Sequence, residues 1–579
     1  MDIPHPPRPQ MGRHPSPSWD VGETIHSSPF SPVHGEPVGP SAQSRGHVVG
    51  QRGPEVRASG GESMPDWLAA RAHLAPERLA LVAGDERLTF GALDRRATDV
   101  AGRLVGLGVQ PGDRVAGLLR NGAPMVELVH GVGRAGAVLV PLNVRLAPAE
   151  LAWQIADSRP RLLLYDEAND ASAREALTSQ SLLPPTGEGG NVPLHALRVD
   201  AFASLPCESA FVPRDRVDLA AVHTVIYTSG TTGRPKGAML TYGNHWWSAM
   251  GSALNLGLHD DDRWLAVLPL FHVGGLSILM RGVIYGVPVL VHERFDPVAV
   301  NRAIDEDGVT VVSVVASMLR RMFDARGGQP YPPTLRQVLV GGGPVPLPLL
   351  EECLRRGVPA VQTYGLTETA SQAVTLAPAD ALRKPGSAGK PLLPNELRIE
   401  RDGVPVGADE VGEIVLRGPT VTPGYADRPE ETARVLRDGW LRTGDLGHID
   451  AEGYLYVLDR RSDLIISGGE NVYPAEVEAV LAAHPAVVEA GVVGADDPRW
   501  GQVPVAYVVL RPDRSDNHQW DVSPPHEDRS APEVGNLADE LIAFCRERLA
   551  RYKVPSQVFV VDALPRNAAG KLLRRALRS

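Results

Sequence analysis

A chain of 579 residues exceeds one ordinary hydrophobic core and implies several domains. Its 43% apolar and 22% charged residues are those of a globular protein that folds in water. The 58 basic and 69 acidic residues give a formal net charge of −11, which disfavours nucleic acid as a partner. Cys207, Cys353 and Cys545 lie far apart and suit neither a disulfide framework nor a zinc site, so a cytoplasmic protein is expected. No apolar run reaches the roughly 18 residues of a membrane span, so no stable membrane insertion is expected.

Residues 1–63 are rich in Pro, Gly, Ser and His and lack hydrophobic periodicity. They are read as a disordered tail or a misassigned start, with Met64 the alternative first residue. Ordered sequence begins at Met64-Pro-Asp-Trp-Leu, where Asp66 suits a helix cap. From 64 to 460, strand-like runs alternate with amphipathic helical stretches. Examples are Val287–Val291, Val309–Val315 leading into a helix over Ala316–Phe323, and Leu335–Val340 ending in Gly341-Gly-Gly-Pro344. The alternation predicts an α/β fold with a large layered N-terminal domain. Short alternating strands follow at Glu413–Leu416 and Tyr454–Leu458.

Residues 461–579 read as a small mobile α+β C-terminal domain. A helix from Pro474 to Ala483, strands at 486–493 and 503–510, a helix at 538–550 and a strand at 556–561 are expected. The polar, Pro-rich stretch 512–536 reads as a surface insertion.

The most telling stretch is Thr228-Ser229-Gly230-Thr231-Thr232-Gly233-Arg234-Pro235-Lys236-Gly237, which follows the apolar run Ala220–Tyr227. Three glycines, four hydroxyls, an arginine and a lysine crowd one loop, which suits a polyphosphate. The Walker A spacing fails, because the second glycine would fall at Pro235. No early Gly-x-Gly-x-x-Gly supports a dinucleotide fold.

The stretch resembles the phosphate loop of the adenylate-forming superfamily: acyl-CoA synthetases, peptide-synthetase adenylation domains and luciferases. That resemblance implies activation of a carboxylate by ATP, release of pyrophosphate and attack by a thiol such as CoA. Further motifs occur in the order the superfamily has them. By resemblance, Thr228, Ser229, Gly230, Thr231, Thr232 and Lys236 bind the nucleotide phosphates. In Tyr364-Gly365-Leu366-Thr367-Glu368, Tyr364 stacks on adenine, Thr367 meets the α-phosphate and Glu368 holds Mg²⁺. Asp445, in Trp440–Asp445, accepts from the ribose, and Arg460, fifteen residues on, adds a cation. Gly342 and Gly343 border the adenine and acyl pocket. Lys571, in Pro565–Lys571, bridges the carboxylate and α-phosphate. The segment Asp459–Asp463 is the hinge, with Ser462 where many members have Asp or Lys at the pivot. Gly468 and Gly469 then approach the thiol.

Four stretches are similar to one branch, the o-succinylbenzoate–CoA ligases of menaquinone biosynthesis: Thr241–Ala249, Leu268–Leu276, Gly365–Gln372 and Ser467–Pro474. That substrate is a dianion, so its pocket needs a buried cation or several donors, not apolar walls alone. Arg281, interrupting the apolar stretch Ser277–Ile284, is the candidate for the second carboxylate; a structural salt bridge is its alternative. Ser313 offers a hydroxyl from its strand. His272 occupies the superfamily's gating position beside the acyl pocket, against the reading of a satisfied core histidine. Trp246 and Trp247 read first as packing residues. The rivals are another aryl- or medium-chain acyl-CoA ligase, a carrier-loading adenylation domain and a catalytically silent nucleotide-binding scaffold. The implied partners are a small carboxylic acid, ATP and CoA, with Mg²⁺; a homo-oligomer is compatible with the sequence.

Overall fold

A computed structural model of the chain describes residues 62–180, 194–208, 211–228, 235–342, 345, 347–381, 383–459, 465–472, 474–510, 532–565 and 574–577. All counts below are of these residues. The sequence expectations for 1–61 and for most of 512–536 lie outside them.

The large lobe is built on two mainly parallel sheets. One has nine strands, with the parallel strands Leu79–Ala83, Val289–Val291, Trp264–Ala266, Val311–Val314, Gln337–Val340 and Ala360–Tyr364 as consecutive neighbours. The other has six, with Val222–Thr228, Val138–Pro141, Arg114–Leu118, Leu162–Tyr165 and His195–Arg198 as parallel neighbours. Strands such as Val311–Val314, Gln337–Val340 and Leu162–Tyr165 are buried at every residue. Covered on both faces, such strands read as continuous apolar runs.

One core unites side chains from both sheets with the helices Phe90–Gly106, Ala123–Ala135 and Val273–Tyr285. A second lies on the far face of the nine-stranded sheet, under the helices Pro297–Glu306, Ala316–Arg326 and Leu347–Arg355. A third lies on the far face of the six-stranded sheet, under Pro148–Ser158 and Asp170–Gln180. The lobe is therefore layered α-β-α-β-α. An antiparallel sheet over residues 396–459 packs against Tyr364 and Val374.

Helix starts follow their caps. Asp66 accepts from the Ala69 amide at 2.8 Å and opens Trp67–Leu74. Thr241 and Asn244 close a reciprocal capping box on Tyr242–Leu256, at 3.0 and 2.8 Å. Trp246 on that helix stacks on Trp67 with ring centroids 6.0 Å apart, which is a packing role.

The small lobe pairs a five-stranded sheet with the helices Pro474–Ala482 and Pro532–Arg546. The second helix begins inside the segment read as insertion and ends earlier than expected. A proline is tolerated in a first turn, and Leu537, Leu541 and Cys545 recur every fourth residue to line the small-lobe core. Among the described residues, no helix is long and apolar enough to cross a membrane.

Candidate active site

Four neighbouring parallel strands of the nine-stranded sheet deliver their carboxyl ends to one cleft. Gly365 follows Ala360–Tyr364, Gly341 and Gly342 follow Gln337–Val340, Ser313 and Val315 end Val311–Val314, and Leu268–His272 follow Trp264–Ala266. Open α/β sheets place ligands at such strand ends. The cleft measures about 990 Å³, and the small lobe closes one side with Gly468, Gly469, Glu470, Tyr552 and Lys553. The volume suits a nucleotide together with a small organic acid.

Of the residues singled out in the sequence, Thr228, Lys236, Gly342, Thr367, Glu368 and Asp445 line this cleft, as do His272, Arg281, Ser313, Gly468 and Gly469. Tyr364 stands behind the wall: it is buried and its hydroxyl donates to Asp445 Oδ2 at 2.7 Å. Ser229, Gly230, Thr231, Thr232, Gly343, Arg460, Ser462 and Lys571 lie outside the described residues.

At the nucleotide end, Glu368 is held by a residue the sequence reading passed over. The Tyr425 hydroxyl donates to Glu368 Oε1 at 2.7 Å, and the Lys236 ammonium lies 5.4 Å from the Tyr425 ring centroid. Partial burial lowers the Lys236 pKa. A carboxylate beside a lysine fits the needs of a triphosphate with Mg²⁺. No group of three or more His, Cys, Asp or Glu among the described residues could hold an ion unaided, so phosphate and water oxygens would complete the shell.

At the acid end, Arg281 lies two turns into the helix Val273–Tyr285 and is only 2% exposed. Its Nη2 donates to Ser248 Oγ at 3.2 Å, and its guanidinium carbon sits 5.5 Å from the Trp264 ring centroid. Its Nε has no partner, and none of its recorded ion pairs or hydrogen bonds among the described residues is to a carboxylate. Burial lowers the pKa, with the Tyr285 phenol opposing. Ser313 Oγ accepts from Trp264 Nε1 at 3.1 Å, so the indole ties both candidate acid-binding residues together. This is a desolvated cation surrounded by neutral groups, an arrangement that calls for an anion.

On the thiol side, His272 precedes the same helix, and its Nε2 meets Glu470 Oε2 at 3.0 Å. Glu470 also pairs with Arg145. Desolvation in the cleft, with the Arg145 and Lys553 cations adding, pushes the imidazole down to about 4. A carboxylate only accepts, so Nε2 of His272 carries the proton in this contact. Gly468 and Gly469 take positive φ values of 59° and 85°. A Cβ on Gly468 would lie 2.7 Å from the Trp500 ring, and one on Gly469 would lie 3.2 Å from Val315 Cγ2.

The AMP-binding enzyme family model matches residues 68–426, and the AMP-binding enzyme C-terminal domain model matches 476–571. The 2-succinylbenzoate–CoA ligase of Geobacillus kaustophilus is 52% identical, covering 89% of this chain and 98% of the relative. A double mutant of o-succinylbenzoate CoA synthetase from Bacillus subtilis, bound with its product analogue OSB-NCoA, aligns with a TM-score of 0.79. Its identity is 45%, and it covers 89% of this chain and 98% of that one. The same enzyme in complex with ATP and magnesium ion aligns with a TM-score of 0.66 at 44% identity, over 89% of this chain and 100% of that one. Identity and coverage barely differ between the two, so the higher score reflects overall arrangement. The chain belongs to the AMP-binding enzyme family.

Proposed function

We propose that this protein is an ATP-dependent, AMP-forming acid–thiol ligase that converts o-succinylbenzoate to o-succinylbenzoyl-CoA in menaquinone biosynthesis. The aliphatic carboxylate attacks the α-phosphorus of ATP and expels pyrophosphate. The CoA thiol then attacks the acyl carbon and expels AMP. The observation that carries the choice of acid is Arg281, a buried guanidinium in the cleft wall with a partnerless Nε. A monocarboxylate pocket has no use for it. The 52% identity to a 2-succinylbenzoate–CoA ligase over nearly its whole length supports the same acid.

The residue roles belong to this reading. Thr228, Ser229, Gly230, Thr231, Thr232 and Lys236 hold the phosphates. Thr367 and Glu368 hold the α-phosphate and Mg²⁺, which when bound neutralises charge on the phosphate oxygens. Asp445, steadied from behind by Tyr364, and Arg460 receive the nucleoside, beside Gly342 and Gly343. Arg281, with Ser313 nearby, takes the ring carboxylate. Lys571 serves adenylation, and rotation at Ser462 then exchanges it for Gly468 and Gly469. The domains run from 64 to 460 and from 461 to 579, with a cytoplasmic setting supported by three unpaired cysteines. The described arrangement, with Glu470 on His272, suits thiol attack. The better fit to the product-analogue complex supports that assignment.

Incubating the protein with o-succinylbenzoate, ATP, Mg²⁺ and CoA is expected to yield o-succinylbenzoyl-CoA and AMP by mass spectrometry. Lys571→Ala should abolish pyrophosphate release yet still form thioester from preformed adenylate. Equal loss of both half-reactions would contradict the division of labour.

A further inference from the structure

The interface between the lobes buries three charged side chains that the chemistry above does not use. Glu150 lies in the first turn of the large-lobe helix Pro148–Ser158. Its Oε2 accepts from the Ala147 amide at 2.9 Å, and its Oε1 accepts from Lys553 Nζ at 2.8 Å. Lys553, from the small lobe, donates also to Glu476 Oε1 at 2.7 Å. Glu476 lies in the first turn of the small-lobe helix Pro474–Ala482. The three side chains are 11%, 5% and 7% exposed. Beside them, the Tyr552 hydroxyl accepts from Asn143 Nδ2 at 3.3 Å, and Ala550 joins the core under the six-stranded sheet.

Only one member of this cluster belongs to the large lobe. Lys553 and Glu476 both belong to the small lobe, so a rotation of that lobe would preserve their pair and separate Lys553 from Glu150. In the arrangement described, the same docking sets Glu470 on His272 and Arg145 and lays Gly469 near Val315. Completing the ion cluster and presenting the 468–470 turn to the cleft are thus one event. A lysine enclosed by two carboxylates in a dry pocket is sensitive to the loss of either, because an unbalanced buried charge is costly.

We propose that Glu150 is a positioning residue for the acyl-transfer half-reaction: it captures Lys553 only when the small lobe presents residues 468–470 to the acyl pocket. The inference rests on the proposed two-step function. Burial, opposed by the Lys553 ammonium and reinforced by Glu476, raises the Glu150 pKa to about 7. Lys553 and Tyr552 face it from one segment, Glu476 from another, and the Ala147 amide from its own.

The test measures the two half-reactions separately in the full-length protein. Glu150→Gln is expected to release pyrophosphate from o-succinylbenzoate and ATP within twofold of the parent. Acyl transfer from preformed adenylate to CoA should fall at least tenfold. The double variant with Lys553→Met should transfer no more slowly than Lys553→Met alone. A purely structural role for Glu150 would depress both half-reactions together; that result, or unchanged acyl transfer, would overturn the proposal. A parent that completes both half-reactions while the variant transfers the acyl group at the parent's rate defeats this inference alone. A parent that releases none defeats the functional reading and this inference with it.

Discussion

Arg281→Ala is expected to lower kcat/KM for o-succinylbenzoate by two orders of magnitude or more, while an analogue lacking the ring carboxylate changes less than about threefold. The guanidinium is buried, its hydrogen bond to Ser248 is to a neutral hydroxyl, and its Nε is unpartnered. The protein has already borne the cost of desolvating that cation. A substrate carboxylate then supplies the missing charge, and losing one partner of such a buried pair costs about 3–5 kcal/mol. At about 1.4 kcal/mol per tenfold, that is at least a hundredfold. The analogue forms no such pair, so it loses only packing against Trp264. If Arg281 were instead a fold staple, both acids would lose rate together and the melting temperature would drop. Steady-state kinetics with the two acids and a thermal melt separate these outcomes.

Gly365→Ala should reduce pyrophosphate release at least a hundredfold for both acids alike. A Cβ at Gly365 would fall 1.6 Å from the Ser371 carbonyl oxygen, 2.7 Å from its carbon and 3.1 Å from the Ala373 nitrogen. All three are main-chain atoms, so no side chain can swing away. The loop they belong to is already tight. Thr369 Oγ1 accepts from the Leu366 amide at 2.9 Å, and Ser371 N donates to Leu366 O at 3.2 Å. Ala370 and Ser371 hold φ values of 51° and 90°. The methyl must therefore push this loop outward, carrying with it Thr367 and Glu368, the residues proposed above to hold the α-phosphate and Mg²⁺. Overpacking of this kind costs about 1–3 kcal/mol or more in stability. A displacement of about 1 Å at reacting groups is worth roughly a hundredfold in rate. Single-turnover pyrophosphate release measures the effect, and parent-like rates would show that the loop yields without consequence.

The contrast between these two sites reflects what a linear sequence can carry. Val311–Val314 and Gln337–Val340 were readable as strands because their β-branched runs match burial on both faces. The glycine-bearing loops at strand ends were readable because their chemistry is local. Arg281 was readable as a cation in an apolar stretch, but not its surroundings: Ser248 and Trp264 come from other elements, 33 and 17 residues earlier. Tyr425, which holds Glu368 from 57 residues away, gave no local signal. Nor did Arg145, whose partner Glu470 comes from the small lobe. The Pro-rich approach to Pro532–Arg546 hid a helix start, because its apolar spacing emerges only from Leu537 onward.

The central claim is that this cleft adenylates a dianionic aromatic acid. Its most direct test is pyrophosphate release with ATP and Mg²⁺, without CoA, across o-succinylbenzoate, its analogue without the ring carboxylate, benzoate and medium-chain fatty acids. The account predicts release with o-succinylbenzoate at a kcat/KM at least tenfold above every other acid. Equal or faster release with a fatty acid or benzoate, or no release with any acid, would contradict it.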